Sequence, residues 1–209
     1  MKIPIIPTLR ELREFWLDNA NVRHAMRNHD RISLTGMWQV DHYRGDALIH
    51  RDPFSKNIVT TEGMNYILDV LANAGVLGTN YMGIFKNNVT PVAGDTASTK
   101  LGSGGTYGAC QDPADFDDAK EHGGASVSTG DWPVWNPAAA SGGVLTNAAA
   151  TCDFTMAASI TVYGGFLTTE QDAADSTGVL ICAKAFSSSR AVVDNDVLAI
   201  TTTLTLTSS

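Results

Sequence analysis

Charge is scarce in this 209-residue chain: Asp, Glu, Lys and Arg make up 17% of it, against about 25% in an ordinary globular domain. What charge there is leans acidic, with a formal net of -8 and no basic run of any length. A protein that grips nucleic acid must neutralise phosphates with Lys and Arg, so direct nucleic-acid binding is not expected, a small basic patch near the N-terminus aside. Cysteine is nearly missing. Cys110, Cys152 and Cys182 stand far apart and form no Cys-x-x-Cys pair. An odd number at irregular spacing argues against a disulfide framework and against a zinc site; it reads as small buried thiols in a reducing cytosol. No window approaches about 18 uninterrupted apolar residues, so no helical membrane span is expected. The opening MKIPIIPTLRELREFW lacks the plan of a signal peptide, because prolines break its apolar run and charges follow at once. The expectation is a protein that folds in the cytoplasm.

Hydrophobic residues make up 44% of the chain, enough to build a core. Residues 1–56 differ from the rest, holding nine of the fourteen Lys and Arg residues and four of the five histidines. Thr8 followed by Glu11 fits a capping box. Leu9, Leu12, Phe15 and Trp16 then fall at helical spacing, which predicts a short amphipathic helix to about Asp18. A polar stretch follows, so residues 1–32 read as an arm that needs a partner. Residues 33–43 suit a strand and 47–49 a second, joined by a hairpin turn at Arg44, Gly45 and Asp46. The clearest helix covers about 61–73. Thr60 or Thr61 caps it; Met64, Ile67, Leu68 and Leu71 form one apolar face, and Gly75 stands where a C-terminal cap belongs. Residues 81–85 return to strand character.

Residues 87–150 are dominated by Gly, Ala, Asp, Asn, Ser, Thr and Pro, which predicts a loop-rich insertion of surface excursions with a few short strands. The last sixty residues are strand after strand. Leu198, Ile200, Leu204 and Leu206 alternate with Thr201, Thr203, Thr205 and Thr207, the period of a strand buried on one face. Short strands separated by turn residues indicate a mainly β fold, an antiparallel sandwich or jelly-roll-like barrel with one prominent helix, over residues 33–209.

Motifs for chemistry are few. The glycine cluster 102–108 lacks the Gly-Lys-Ser/Thr of a phosphate loop and reads as a flexible loop. Asp112, Asp115, Asp117, Asp118 and Glu121 lack the spacing of a calcium-binding loop and read as solvated. His24, His29, His42, His50 and His122 show no metal-protease spacing, and no Ser sits in a nucleophile elbow. No cofactor, metal or catalytic residue is expected. His24 and His29 lie among Arg23, Arg27 and Arg31, a small basic cluster suited to an acidic partner. Trp132 and Trp135 either pack under a loop or at a subunit contact, where aromatics supply much of the binding energy, or stack on sugar.

Three stretches carry a resemblance: NIVTTEGMNYILDV from Asn57 to Val70 leading into YMGIF at 81–85; TPVAGDT at 90–96; and TVYGGFL at 161–167 followed by the segment from Phe186 to Leu198. Over roughly residues 38–206 the chain resembles a family of virion structural proteins of tailed bacteriophages, some of which act as capsid cement or decoration proteins in short-tailed phages. Asn195 stands where relatives have Gly in the loop before Asp196, a substitution compatible with a left-handed turn. The resemblance implies a non-enzymatic protein on the capsid surface, made in the host bacterial cytoplasm. Its partners would be the major capsid protein and copies of itself, with neither membrane nor nucleic acid contacted directly. Arg23, Arg27, Arg31, Phe15, Trp16, Trp132 and Trp135 are the candidate contact residues. The alternatives are a tail or head appendage of the particle and a carbohydrate-binding module using the loop at Trp132 and Trp135.

Overall fold

The computed structural model describes residues 32–72, 75, 78–121, 124, 126–128 and 130–208. The expected arm and its short helix lie outside the described residues, Ile32 apart. The chain divides into two units, Leu34–Leu206 and Met1–Ser33 with Thr207–Ser209.

Among the described residues, ten strands form two antiparallel sheets in a sandwich that does not close into a barrel. The larger sheet contains β1 (Ile32–Arg44), β2 (Ala47–Lys56), β5 (Phe116–Glu121), β6 (Val144–Thr146), β7 (Cys152–Met156) and β10 (Asp196–Ser208). Its order is β2-β1-β10-β7-β5, with β6 also paired to β10. The smaller contains β3 (Ile58–Val59), β4 (Tyr81–Phe85), β8 (Ile160–Thr168) and β9 (Leu180–Val192), in the order β3-β9-β8-β4. Helix α1 (Thr61–Leu71) follows β3, and a single turn, α2 (Ala97–Lys100), follows β4.

The core is the meeting of two alternating faces. Trp38 and Val40 of β1, Phe154 and Met156 of β7, and Leu198 and Ile200 of β10 are buried, as are Ile84, Phe166 and Cys182 from the other sheet. Trp38 needs a hollow to enter. A Cβ on Gly165 of β8 would stand 2.6 Å from the Trp38 ring, so glycine there lets the two sheets close on an indole. Alternation in β10 holds through Ile200; Thr201 and Thr202 are then both buried, and Leu206 is exposed. Beyond the reach of β7, whose register ends at Ile200 opposite Cys152, β10 pairs with the short β6.

Two expectations are corrected. The stretch 87–150 is not a set of surface excursions: Leu101, Tyr107, Cys110, Phe116 and Trp132 are core residues. Tyr107 lies 4.7 Å from Phe85 between ring centroids, and the Trp132 indole donates to the Cys110 carbonyl at 3.2 Å. Nor is the acidic run fully solvated. Asp115 is buried, its two carboxylate oxygens each 2.7 Å from Lys86 Nζ, and it accepts from the Gln111 amide.

Strand β2 forms an edge of the larger sheet and is exposed at almost every position, Asp52 excepted. Its register against β1 slips twice, between the partners of Trp38 and Val40 and between those of His42 and Tyr43, each time with an extra residue in β2. Pro53, inside the first of these slips, also removes an amide from the strand.

Candidate docking surface

Helix α1 is bolted down at its start and open at its end. Thr60 caps it, accepting from the Gly63 amide at 2.9 Å, while its hydroxyl sits against the Leu180 and Ile181 carbonyls of β9. Glu62 accepts from the amides of Leu180 (2.7 Å) and Ala97 (2.8 Å), tying α1 to β9 and to α2. Gly63 is the buried residue of the helix; a Cβ there would stand 2.2 Å from the Ile181 carbonyl oxygen. At the other end the Gly75 amide returns to the Asp69 carbonyl at 3.0 Å, the C-terminal closure that its position predicts.

Of the apolar face read from the sequence, Ile67 is half-buried and the other three residues are exposed. Leu68 is 61% and Leu71 70% exposed, and Met64 is exposed as well. The helix is anchored through its first turn, so its second half stands off the sheet. Beneath it runs an apolar groove of about 320 Å³, lined by Ile67 and Leu71 from α1, Leu34 from β1, Leu145 from β6, Leu206 from β10, and Trp135. Asn80 also lines it; Asn80 Oδ1 and Trp135 Nε1 are enclosed and have no hydrogen-bond partner among the described residues. A second apolar exposure lies on β2, where Leu48, Ile49 and Phe54 are each nearly half exposed.

Buried carboxylates organise another part of the sandwich. Asp196, 1% exposed, accepts from Arg44 Nε and Nη2 at 2.8 Å, from the Val193 amide at 2.9 Å, and lies 2.9 Å from His42 Nε2. The Arg44 guanidinium first, then the Val193 amide and His42, outweigh burial and hold this carboxyl well below the usual range. The turn before it uses Asn195 at φ 66°, the left-handed geometry that asparagine tolerates. Asp52 does similar work between sheets: from β2 it reaches the Ser187 amide (3.0 Å), the Ser187 hydroxyl and Arg190 Nη2 (3.3 Å) of β9. A polar basin of about 490 Å³ on the larger sheet contains Asp41, Asp46 and Asp153. Arg51 grips Asp41 with two contacts of 2.7 and 2.6 Å, and Thr151 donates to Asp153.

Of the candidate contact residues, Phe15, Trp16, Arg23, Arg27 and Arg31 lie outside the described residues. Trp132 and Trp135 are buried, 0% and 4% exposed; Trp132 stands edge-on to Phe166 at 4.8 Å, and Trp135 lines the groove beside α1. Sequence reasoning missed Leu48, Ile49 and Phe54; the adjacent pair Leu48 and Ile49, which a strand must send to opposite faces, was the available signal. Burial pushes the Cys182 thiol up to about 12 and raises that of Cys110 as well, which keeps both protonated and unreactive. Among the described residues no cluster of His, Cys, Asp or Glu could hold a metal ion, and no helix is long and apolar enough to cross a membrane. Comparison of the chain with protein-family models, with curated proteins and with solved structures gives no match.

Proposed function

We propose that this chain is a structural protein of a tailed-bacteriophage particle, a capsid cement or decoration protein that binds the major capsid protein and stabilises the shell. The supporting observation is the apolar side of α1: a domain with a filled core leaves Leu68 and Leu71 largely in water. Exposed apolar clusters of this kind mark interaction sites. Burying such a side chain in a partner is worth about 1.5–3 kcal/mol, repeated over every copy on a shell. The phage context comes from the resemblance of residues 38–206. The burial of Trp132 and Trp135 weighs against the sugar-stacking alternative.

The test is to purify shells of the major capsid protein with and without this chain and heat them. Decorated shells should retain DNA to higher temperature, and Leu68→Ser should weaken both binding and protection. Equal DNA loss with and without the protein would overturn the cement role. A copy number per particle matching tail symmetry would transfer the reading to a tail or head appendage.

A further inference from the structure

We infer that the groove beside α1 binds a small uncharged amphiphile, an apolar chain or ring that ends in a hydroxyl or carboxamide. Three observations carry it. The first is depth. Side chains of both sheets line the groove, Leu145 and Leu204 from the larger, Leu167 and Ile181 from the smaller. Leu167 and Ile181 are 0% and 3% exposed, so the groove reaches down to side chains of the core. Protein interiors leave few voids larger than a water molecule. A hollow of about 320 Å³ falls instead within the range of small-molecule sites, roughly 300–1,000 Å³.

The second observation is the absence of charge: among the described residues no Asp, Glu, Lys, Arg or His lines the groove. A charged ligand would leave water there without a counter-charge, so the occupant is neutral. The third fixes its polar end. Trp135, nine-tenths buried, lines the groove with an indole N–H that has no acceptor, and Asn80 lines it with an Oδ1 that has no donor, among the described residues. The Trp135 amide donates to the Asn80 carbonyl at 2.8 Å, so the two residues are neighbours on the groove wall. Both unpaired atoms are shut off from bulk water and carry the full cost of lost hydration. A hydrocarbon leaves that cost in place. A hydroxyl or carboxamide supplies an acceptor for the indole and a donor for the amide oxygen.

The test titrates the full-length protein with N-phenyl-1-naphthylamine, a neutral dye that brightens in apolar surroundings, and displaces it with decanol, decane or decanoate. Dye binding should saturate, decanol should displace best, and decanoate should fail. Ala140→Trp, at an exposed position on the groove lining, should plug the groove and abolish the signal. Leu68→Ser should leave the signal unchanged, because Leu68 does not line the groove; the capsid reading and the ligand site therefore fail separately. Trp135→Phe should weaken decanol about fivefold and leave decane as in wild type, and Asn80→Leu should show the same split without altering a core side chain. A wild type that gives no dye signal would overturn the site, its groove then being filled by protein. A signal that survives Ala140→Trp would overturn it too. Decanoate as effective as decanol, or equal losses of decanol and decane in both polar variants, would overturn the assigned ligand class.

Discussion

The carboxylate clasp at Asp196 and the groove under α1 belong to one sandwich but use opposite chemistry. At the clasp both carboxylate oxygens of Asp196 are engaged, and their partners come from β1 and from the turn that leads into β10. At the groove the surface is apolar, and the two enclosed polar atoms along it, Asn80 Oδ1 and Trp135 Nε1, find no partner among the described residues. A side chain in the clasp is committed to the fold. A leucine at the groove rim is committed to nothing within the described chain. Substitutions in the two regions should therefore separate stability from association.

The largest loss of stability is expected at the base of the helix. Gly63→Val places new carbon atoms inside van der Waals distance of the Ile181 backbone, at 2.2 Å for the Cβ alone. Overpacking costs about 1–3 kcal/mol and occasionally more; backbone cannot rotate aside, so the loss should reach or pass the upper end, the urea midpoint should collapse and the groove should be lost with it. A variant as stable as wild type would mean that α1 is not seated on β9. Next comes Asp196→Ala. Breaking a buried ion pair costs about 3–5 kcal/mol; because the Arg44 side chain is half exposed and can turn to water, the expected loss is near the lower end, about 3 kcal/mol. Shell binding by the fraction still folded should be unchanged.

Acid should weaken the clasp in a defined window. The folded carboxyl of Asp196 titrates below its unfolded value, so its contribution is complete above about pH 5 and is lost as pH falls toward the folded value. Urea midpoints taken from pH 6 down to pH 2 should fall, and Asp196→Asn should flatten part of that slope; an unchanged slope would remove Asp196 from the account. The smallest effect on stability is expected at Leu68→Ser. A surface exchange of this kind stays within about 0.5 kcal/mol, yet binding to a partner surface should drop measurably. Equal binding would break the contrast between the two regions.

The parts of the fold that were readable in the sequence are those with a period. The alternation in β10 and the Thr60-capped helix announce themselves because backbone geometry forces side chains to recur at 2 or 3.6 residues. Tyr107 and Trp132 had no such announcement. They are single aromatic anchors in glycine-rich turns, placed by tertiary contacts with Phe85 and Phe166 that no local window contains. The groove was half legible: the apolar face of α1 was plain, but whether it meets a core or solvent depends on how Gly63 seats the helix. The clasp was invisible, since His42 and Arg44 lie some 150 residues from Asp196.

The doubled irregularity in β2, with Pro53 inside one of its slips, has a consequence for how such a chain behaves when crowded. An edge with two slips and a proline offers only a broken ladder of amides and carbonyls, which disfavours strand pairing with another chain. What this rim offers to a neighbour is side chains, Leu48 and Phe54 among them, each nearly half exposed, rather than a continuous backbone ladder.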